Sequence, residues 1–176
     1  TYSESYPDAN RNYGTSTILR WGKDSANIYR RAYLHFDLSS YPYGSDTSRI
    51  TSATFYIYQY QRYDNAVDVA ICRVTSNWGE TTLTHNNKPS DTGVSLGTIN
   101  SNTNGWKSLD ITSTVKGWLE GSYSNYGIVI SNTPVTNVYG YSRENSTNKP
   151  YLKIVYEPKA SGGILNWWFM RDSWEK

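Results

Sequence analysis

The sequence predicts an all-β protein: an antiparallel β-sandwich, jelly-roll-like, with one short helix. Three observations predict this fold. Apolar and polar residues alternate along short segments rich in aromatic and β-branched residues. Clusters of Asn, Gly and Pro separate these segments, and a single short segment has helical spacing. About nine short strands in a chain of 176 residues suit one sandwich domain.

The alternation is clearest in two segments, Ile28–Leu38 and Ile50–Tyr60. Successive residues of a strand point to opposite faces, so each segment turns an apolar set inward. The residues predicted to point outward are Tyr29, Arg31, Tyr33, His35 and Asp37 on the first segment, and Thr54, Tyr56, Tyr58 and Tyr60 on the second.

Shorter segments supply the other strands and the helix. A helix is predicted after Asp110, where Val115, Trp118 and Leu119 recur at helical spacing, and Gly121 is expected to end it. The remaining predicted strands are Ser16–Trp21, Ala66–Val74, Val94–Ile99, Trp106–Ile111, Tyr126–Ser131, Val138–Ser142 and Tyr151–Tyr156.

The pattern changes near the C-terminal end. We predict a sandwich over residues 1–158, followed over 159–176 by a linker, Lys159–Gly163, and a Trp-rich segment, Ile164–Lys176. An apolar patch of this kind promotes aggregation in water. We therefore expect the segment to dock on the sandwich, on a neighbouring domain or on another copy, unless it is a fusion remnant.

Composition excludes several classes of protein. No apolar run approaches the ~20 residues needed to span a bilayer. One Cys excludes an intrachain disulfide framework and a Cys-cluster zinc site. The net charge is +2 and the chain has no runs of Lys and Arg, so it lacks the basic surface that is typical of proteins with a nucleic-acid partner. The chain starts at Thr1, so we expect a mature product or an excised module.

Short motifs carry a family resemblance over nearly all of Tyr2–Glu157. In order they are NYG (Asn12–Gly14), RAYLHFDLSSYP (Arg31–Pro42), ITSATFYIY (Ile50–Tyr58), WGETTLTHNNKP (Trp78–Pro89), LDITSTVKGWLEG (Leu109–Gly121), NYGIVIS (Asn125–Ser131), SREN (Ser142–Asn145) and KPYLKIVYE (Lys149–Glu157). With these motifs the chain resembles the DNRLRE domain, also called the disaggregatase-related repeat and grouped with carbohydrate-binding modules.

The resemblance implies a β-sandwich module of secreted or surface-attached proteins. Such modules stand beside polysaccharide-degrading domains or in tandem in surface-layer proteins, notably in methanogenic archaea embedded in an acidic polysaccharide. For single residues it implies structural roles: packing for Trp78, Trp106 and Trp118, turn formation for Asp37 and Asp110, and tight bends for Gly14, Gly121 and Gly127.

The outward residues form the candidate site. If the two clearest strands are neighbours, their phenols, one guanidinium and one imidazole share a surface on which sugar rings can stack. Arg suits carboxylates because its planar fork binds both oxygens. The predicted carbohydrate-binding residues are Arg31, Tyr33, His35, Tyr56, Tyr58 and Tyr60. Outward tyrosines also stabilise sheets by cross-strand pairing, which is the structural alternative.

The predicted function is a non-catalytic polysaccharide-binding module, extracellular or at the cell surface, whose partners are a uronic-acid-containing polysaccharide and neighbouring domains. One alternative is a spacer domain of a surface-layer protein. A second is a polysaccharide lyase that uses Tyr33, His35, Tyr58 and Arg31. A hydrolase needs two facing carboxylates, and turn anchoring accounts for Glu80 and Glu144.

No cofactor is firmly predicted. A structural calcium ion is left open, because Ca²⁺ prefers carboxylate and carbonyl oxygens. Glu4, Asp8 and Asp110 could supply such oxygens, but no loop has dense acidic spacing. Cys72, on a predicted strand, reads as a small buried apolar residue.

Overall fold

The computed structural model describes residues 1–63, 67–89, 91–131, 136–159 and 169–170. These residues form antiparallel strands and one helix, α1 (Thr112–Leu119). The strands are β1 (Tyr2–Glu4), β2 (Ile18–Lys23), β3 (Tyr29–Leu34), β4 (Ile50–Arg62), β5 (Asp68–Val74), β6 (Asp91–Asn100), β7 (Gly105–Asp110), β8 (Ile128–Ser131), β9 (Thr136–Tyr141), β10 (Tyr151–Tyr156) and β11 (Phe169–Met170).

The strands form one continuous sheet that turns over into two layers. Their order is β11-β10-β4-β9-β2-β3-β8-β5-β6, with β1 on β3 and β7 on β4. Strands β2 and β3 share a single register pair, Gly22 with Arg30, and the sheet turns over there. The first layer contains β10, β4, β7, β9 and β2, and the second contains β3, β8, β5 and β6.

The main core lies between the layers. Trp21, Phe55 and Ile57 from the first layer join one buried cluster with Ile71 and Ile130 from the second. On β4 every second residue from Ala53 to Gln59 is buried, as the period of a half-buried strand requires. The structure thus confirms the predicted all-β antiparallel sandwich with one short helix.

The strand predictions differ from the structure mainly at the ends. Strand β3 is shorter than its segment and ends at Leu34, whereas β4 continues to Arg62. Sequence reasoning missed β1, whose three residues pair with β3. Three residues are too few to show a period, so pairing alone makes this segment a strand.

Helix α1 is tied to β4 at its first residue. The Thr112 N–H donates to Asp110 Oδ1 at 2.9 Å, and Thr112 Oγ1 accepts the Ala53 N–H at 2.8 Å. Val115 and Trp118 face the core. The helix ends before Gly121, which has a φ of +74° that favours glycine. The predicted helix and its stop are confirmed.

The C-terminal segment is described only at Phe169–Met170. This two-residue strand pairs with β10, where Ile154 lies opposite Met170. The rest of the predicted Trp-rich segment lies outside the described residues, and its docking stays a prediction. In the part of the chain that the structure describes, no helix is long and apolar enough to cross a lipid bilayer.

Candidate functional site

In the described part of the chain, the outer side of the first layer carries eight aromatic rings, which we call the aromatic face. Cross-strand pairing gathers them: Trp106 on β7 lies opposite Tyr58, and Tyr151 on β10 lies opposite Tyr56. Opposed residues of paired strands share a face of the sheet. The members of the aromatic face are Tyr56, Tyr58, Tyr60, Tyr63, Trp106, Tyr139, Tyr141 and Tyr151.

These rings form an unbroken chain of contacts. From Tyr56 the chain passes to Tyr151 (4.7 Å between ring centroids), Trp106 (5.3 Å), Tyr58 (5.4 Å), Tyr141 (5.7 Å), Tyr60 (4.7 Å), Tyr139 (6.0 Å) and Tyr63 (5.1 Å). Three contacts of the chain are stacked with interplanar angles of 11–16°, and the others are tilted or edge-on. Each ring is therefore held by its neighbours, and the surface is preorganised.

A bulge in β4 brings Tyr63 onto the same side as Tyr60. The register against β9 shifts between Gln59 and Gln61, because Gln59 lies opposite Gly140 and Gln61 opposite Tyr139. One extra residue moves the outward set from even to odd positions. Arg62, opposite the buried Val138, consequently points to the other side.

Several of these rings are open to water. Trp106 is 44% exposed and Tyr63 is 59% exposed, and the other six rings are half-buried. Burial raises the pKa of Tyr60, and the neighbouring Tyr139 raises it further. Its phenol therefore stays protonated near neutral pH and can donate a hydrogen bond.

Charged groups border the aromatic face on two sides. The Arg20 guanidinium lies 4.7 Å from the centroid of the Tyr139 ring, within the range of a cation–π contact. Both oxygens of the buried Glu4 accept from Arg20, at 3.0 and 3.1 Å, and Arg30 also pairs with Glu4. On the opposite side, Lys153 of β10 lies across from Thr54.

The outer side of the second layer is covered by the chain itself. Tyr33, Val129 and Cys72 lie opposite one another on β3, β8 and β5. The segment Trp78–Pro89 packs over them: Leu83 joins their buried cluster, and the Trp78 ring lies 5.7 Å from that of Tyr33. We call this the covered face.

The structure divides the predicted site residues between these two faces. Tyr56, Tyr58 and Tyr60 point outward as predicted. Tyr33 is on the outer side of its layer but only 1% exposed, so the expectation that it offers a stacking ring is wrong. Strands β9 and β2 separate β4 from β3, so the condition for a single shared surface is not met.

Arg31 and His35 also lie away from the aromatic face. Arg31 is near His85 and Lys88: burial lowers the pKa of both groups, and the positive charge of Arg31 lowers it further. His35 is exposed beyond the end of β3. The residues of the predicted lyase, Tyr58 with Tyr33, His35 and Arg31, are therefore not assembled.

Sequence reasoning missed five members of the aromatic face. The alternation in the predicted strands already separates Tyr139 and Tyr141 from Val138, but no local pattern shows that they flank β4. The expectation that Trp106 packs inside is wrong. The members that sequence reasoning did not predict are Tyr63, Trp106, Tyr139, Tyr141 and Tyr151.

Other structural expectations are confirmed. Asp37 Oδ1 accepts the Ser39 N–H at 2.8 Å in a turn, as Asp110 does before α1. Trp118 is buried, and Trp78 is half-buried against the covered face. At Gly127, with a φ of +79°, a Cβ would lie 2.0 Å from the Leu34 carbonyl oxygen, so only glycine fits.

The carboxylates considered for calcium have other partners. Glu4 binds two arginines, Asp8 accepts the Asn10 N–H at 2.9 Å, and Asp110 holds the start of α1. Among the described residues, no three His, Cys, Asp or Glu side chains lie close enough to hold a metal ion. A structural calcium ion therefore stays a prediction, with no ligand set assigned.

The class of the protein is shown by a comparison with family models. The model of carbohydrate-binding module family 96 matches residues 1–156. The chain belongs to this family. It is thus a carbohydrate-binding module, as the DNRLRE resemblance led us to expect, and modules of this kind are commonly extracellular. The match covers β1 to β10 and α1, and so includes the aromatic face.

Curated relatives match a smaller part of this family 96 module. The chain is 29% identical over 130 residues, 70% of its length, to the tRNA nuclease WapA of Bacillus subtilis strain 168 and to the tRNA(Glu)-specific nuclease WapA of B. subtilis subsp. natto. It is 30% identical over the same length to the tRNA3(Ser)-specific nuclease WapA of Bacillus spizizenii. The match spans only 5% of each of these proteins.

Proposed function

We propose that this module binds a polysaccharide on its aromatic face, as a non-catalytic part of a secreted or cell-surface protein. The observation that carries the proposal is the unbroken chain of eight rings on the outer side of the first layer. Monomeric proteins rarely expose a large contiguous apolar patch unless it binds something.

The shape of the aromatic face suits a polymer. Its rings are spaced 4.7–6.0 Å apart along three neighbouring strands and β7, so several sugar rings can lie on it together. The C–H faces of sugars pack on aromatic rings, while phenol and indole groups at the ring edges bond hydroxyls. Each contact is weak, so the affinity of one module is modest and tandem copies raise it.

We further propose that the polysaccharide is acidic. Two cations border the aromatic face, Lys153 and Arg20, although Glu4 already accepts from Arg20. A uronate seated on the rings would lie between these two cations, and their attraction weakens as salt screens it.

Affinity electrophoresis tests the proposal. The protein is run through gels containing polygalacturonate, alginate, xylan or glucomannan, and any retarding polymer is then titrated calorimetrically in low and high salt. We expect retardation by a uronate polymer, weaker at high salt, and its loss in Tyr58→Ala. Tyr29→Ala is the matched control, because Tyr29 is exposed but lies on β3.

Two results would count against the proposal. Retardation that is equal in Tyr58→Ala and wild type would remove the aromatic face as the binding surface. Binding to glucomannan with no response to salt would leave the aromatic face in place but reject the acidic ligand.

A spacer function is the second candidate. The observation that favours it is that the match takes only 5% of the relatives' length, so that most of each of these proteins lies outside the matching segment. In that case the aromatic face would pack on the next domain. Retardation by none of the four polymers, together with concentration-dependent self-association that Tyr58→Ala abolishes, would support the spacer.

A further inference from the structure

A cavity of about 250 Å³ opens at one end of the sandwich, apart from the aromatic face. The end of β3 forms one side of the cavity. The loops after β5, before β8 and after β9 form most of the remaining wall, which is completed by Thr1 and Leu19. Its lining includes Tyr33, His35, Trp78, Glu80, Tyr126 and Arg143.

The aromatic side of the cavity is fixed in place. The Trp78 indole N–H donates to the Tyr126 carbonyl oxygen at 2.8 Å, and the Trp78 ring packs against the buried Tyr33. Trp78 and Tyr126 are both half-buried, so part of each remains available inside the cavity. A ring that enters would find a wall that needs no rearrangement.

The polar side is also preorganised. Arg143 Nη2 lies 2.5 Å from Glu80 Oε2, and Arg143 Nε donates to Glu144 Oε1 at 2.9 Å. Two carboxylates thereby hold one guanidinium in a single orientation. The exposed imidazole of His35 completes this side.

We propose that this cavity is a second carbohydrate site, one that binds a single sugar ring such as the end of a glycan chain. An aromatic wall facing carboxylate, guanidinium and imidazole groups suits a ring with one C–H face and several hydroxyls. The volume lies just below the ~300–1,000 Å³ of pockets for larger ligands, so it accommodates one ring, and the rest of a glycan chain would extend outside the cavity. The inference goes beyond the proposed function, since the site uses none of the eight rings of the aromatic face.

Two indole N–H signals can test this proposal separately from the first. Trp78 reports on the cavity and Trp106 on the aromatic face, and Trp78→Phe and Trp106→Phe assign their resonances. The ¹⁵N-labelled protein is titrated to about 100 mM, the range where weak single-ring affinities are measured. The probes are methyl α-D-glucopyranoside, methyl β-D-galactopyranoside, methyl α-D-mannopyranoside and sodium glucuronate.

We expect at least one probe to shift Trp78 and leave Trp106 unmoved. Arg143→Ala should weaken that binding about tenfold or more, since a charged hydrogen-bonding group is lost. Tyr58→Ala and the exposed Arg11→Ala should leave it within about twofold. Thermal melting verifies that the variants are folded.

Two results would contradict this proposal. If none of the four probes shifts the Trp78 signal, or if shifts occur at Trp106 alone, the cavity is not a sugar site. That result would leave polysaccharide binding on the aromatic face untouched, because the polymer titration measures it independently.

Discussion

The two outer faces of the sandwich both begin as outward aromatic residues on alternating strands, yet they end in opposite environments. On the second layer the segment Trp78–Pro89 folds back and buries Tyr33 to 1% exposure. On the first layer the described chain leaves Trp106 at 44% exposure among its ring neighbours. Alternation decides which side of a sheet a residue takes, whereas the long-range course of the chain decides whether that side meets water.

The largest effect should come from the covered face. Tyr33→Ala removes a buried ring that contacts Trp78, so the free energy of unfolding should fall by about 3–5 kcal/mol. Urea denaturation measures this loss. Tyr33→Phe keeps the buried ring and removes only the phenol oxygen, so it should lose clearly less than Tyr33→Ala. A similar small loss in both variants would contradict a packed face.

For Trp106 we expect a small loss of stability and a large loss of polysaccharide affinity. Trp106→Ala should lower the free energy of unfolding by only about 1–2 kcal/mol, since the side chain is 44% exposed and loses the ring contacts with Tyr58 and Tyr151. Its affinity for the retarding polysaccharide should fall about tenfold with the loss of one stacking ring. Calorimetric titration measures the affinity, and Trp106→Phe should recover most of it. A large loss of stability would mean that this face is structural.

The ion-pair network where the layers join should respond to acid. Burial acts to raise the pKa of Asp24, but the Ile28 N–H and the Arg30 guanidinium outweigh it and hold the pKa below its ordinary 3.8. Folding therefore favours the ionised carboxylate, and this stabilisation is complete above pH values near 4. As the pH falls through the lowered pKa, the free energy of unfolding should decrease.

Urea titrations between pH 5 and about pH 2 measure this slope. Asp24→Asn should have a shallower slope than wild type over the same range. Identical slopes would show that the Asp24–Arg30 pair does not contribute to the junction of the layers.

The smallest effect is expected at the end of the ring chain. Tyr63 is 59% exposed and contacts only Tyr139 among the rings of the aromatic face. Tyr63→Ala should lower the polysaccharide affinity about twofold to threefold and leave the unfolding free energy within about 0.5 kcal/mol. The retardation of Tyr63→Ala in the polysaccharide gel, compared with that of Tyr58→Ala, measures this change in affinity. An effect larger than that of Tyr58→Ala would move the centre of the site toward Tyr63.

Local pattern predicted the fold and three of the eight rings of the aromatic face. The alternation in Ile50–Tyr60 places Tyr56, Tyr58 and Tyr60 outward, because strand geometry alone decides it. That β9 and β10 flank β4 depends on pairing between distant segments, which alternation does not report.

The burial of Tyr33 could not be predicted for a related reason. The covering segment is rich in Thr and Asn, as an exposed loop would be. Its two apolar residues, Trp78 and Leu83, were the available signal that it packs on a sheet. Their contact with Tyr33 still depends on where the loop folds back.

The most direct measurement follows the tyrosine rings themselves. With ¹³C-labelled tyrosine, the ring signals are recorded before and after saturation with the polysaccharide that retards the protein. We predict that Tyr58, Tyr141 and Tyr151 shift or broaden. Binding with those three signals unchanged would contradict the assignment of the ligand to the aromatic face.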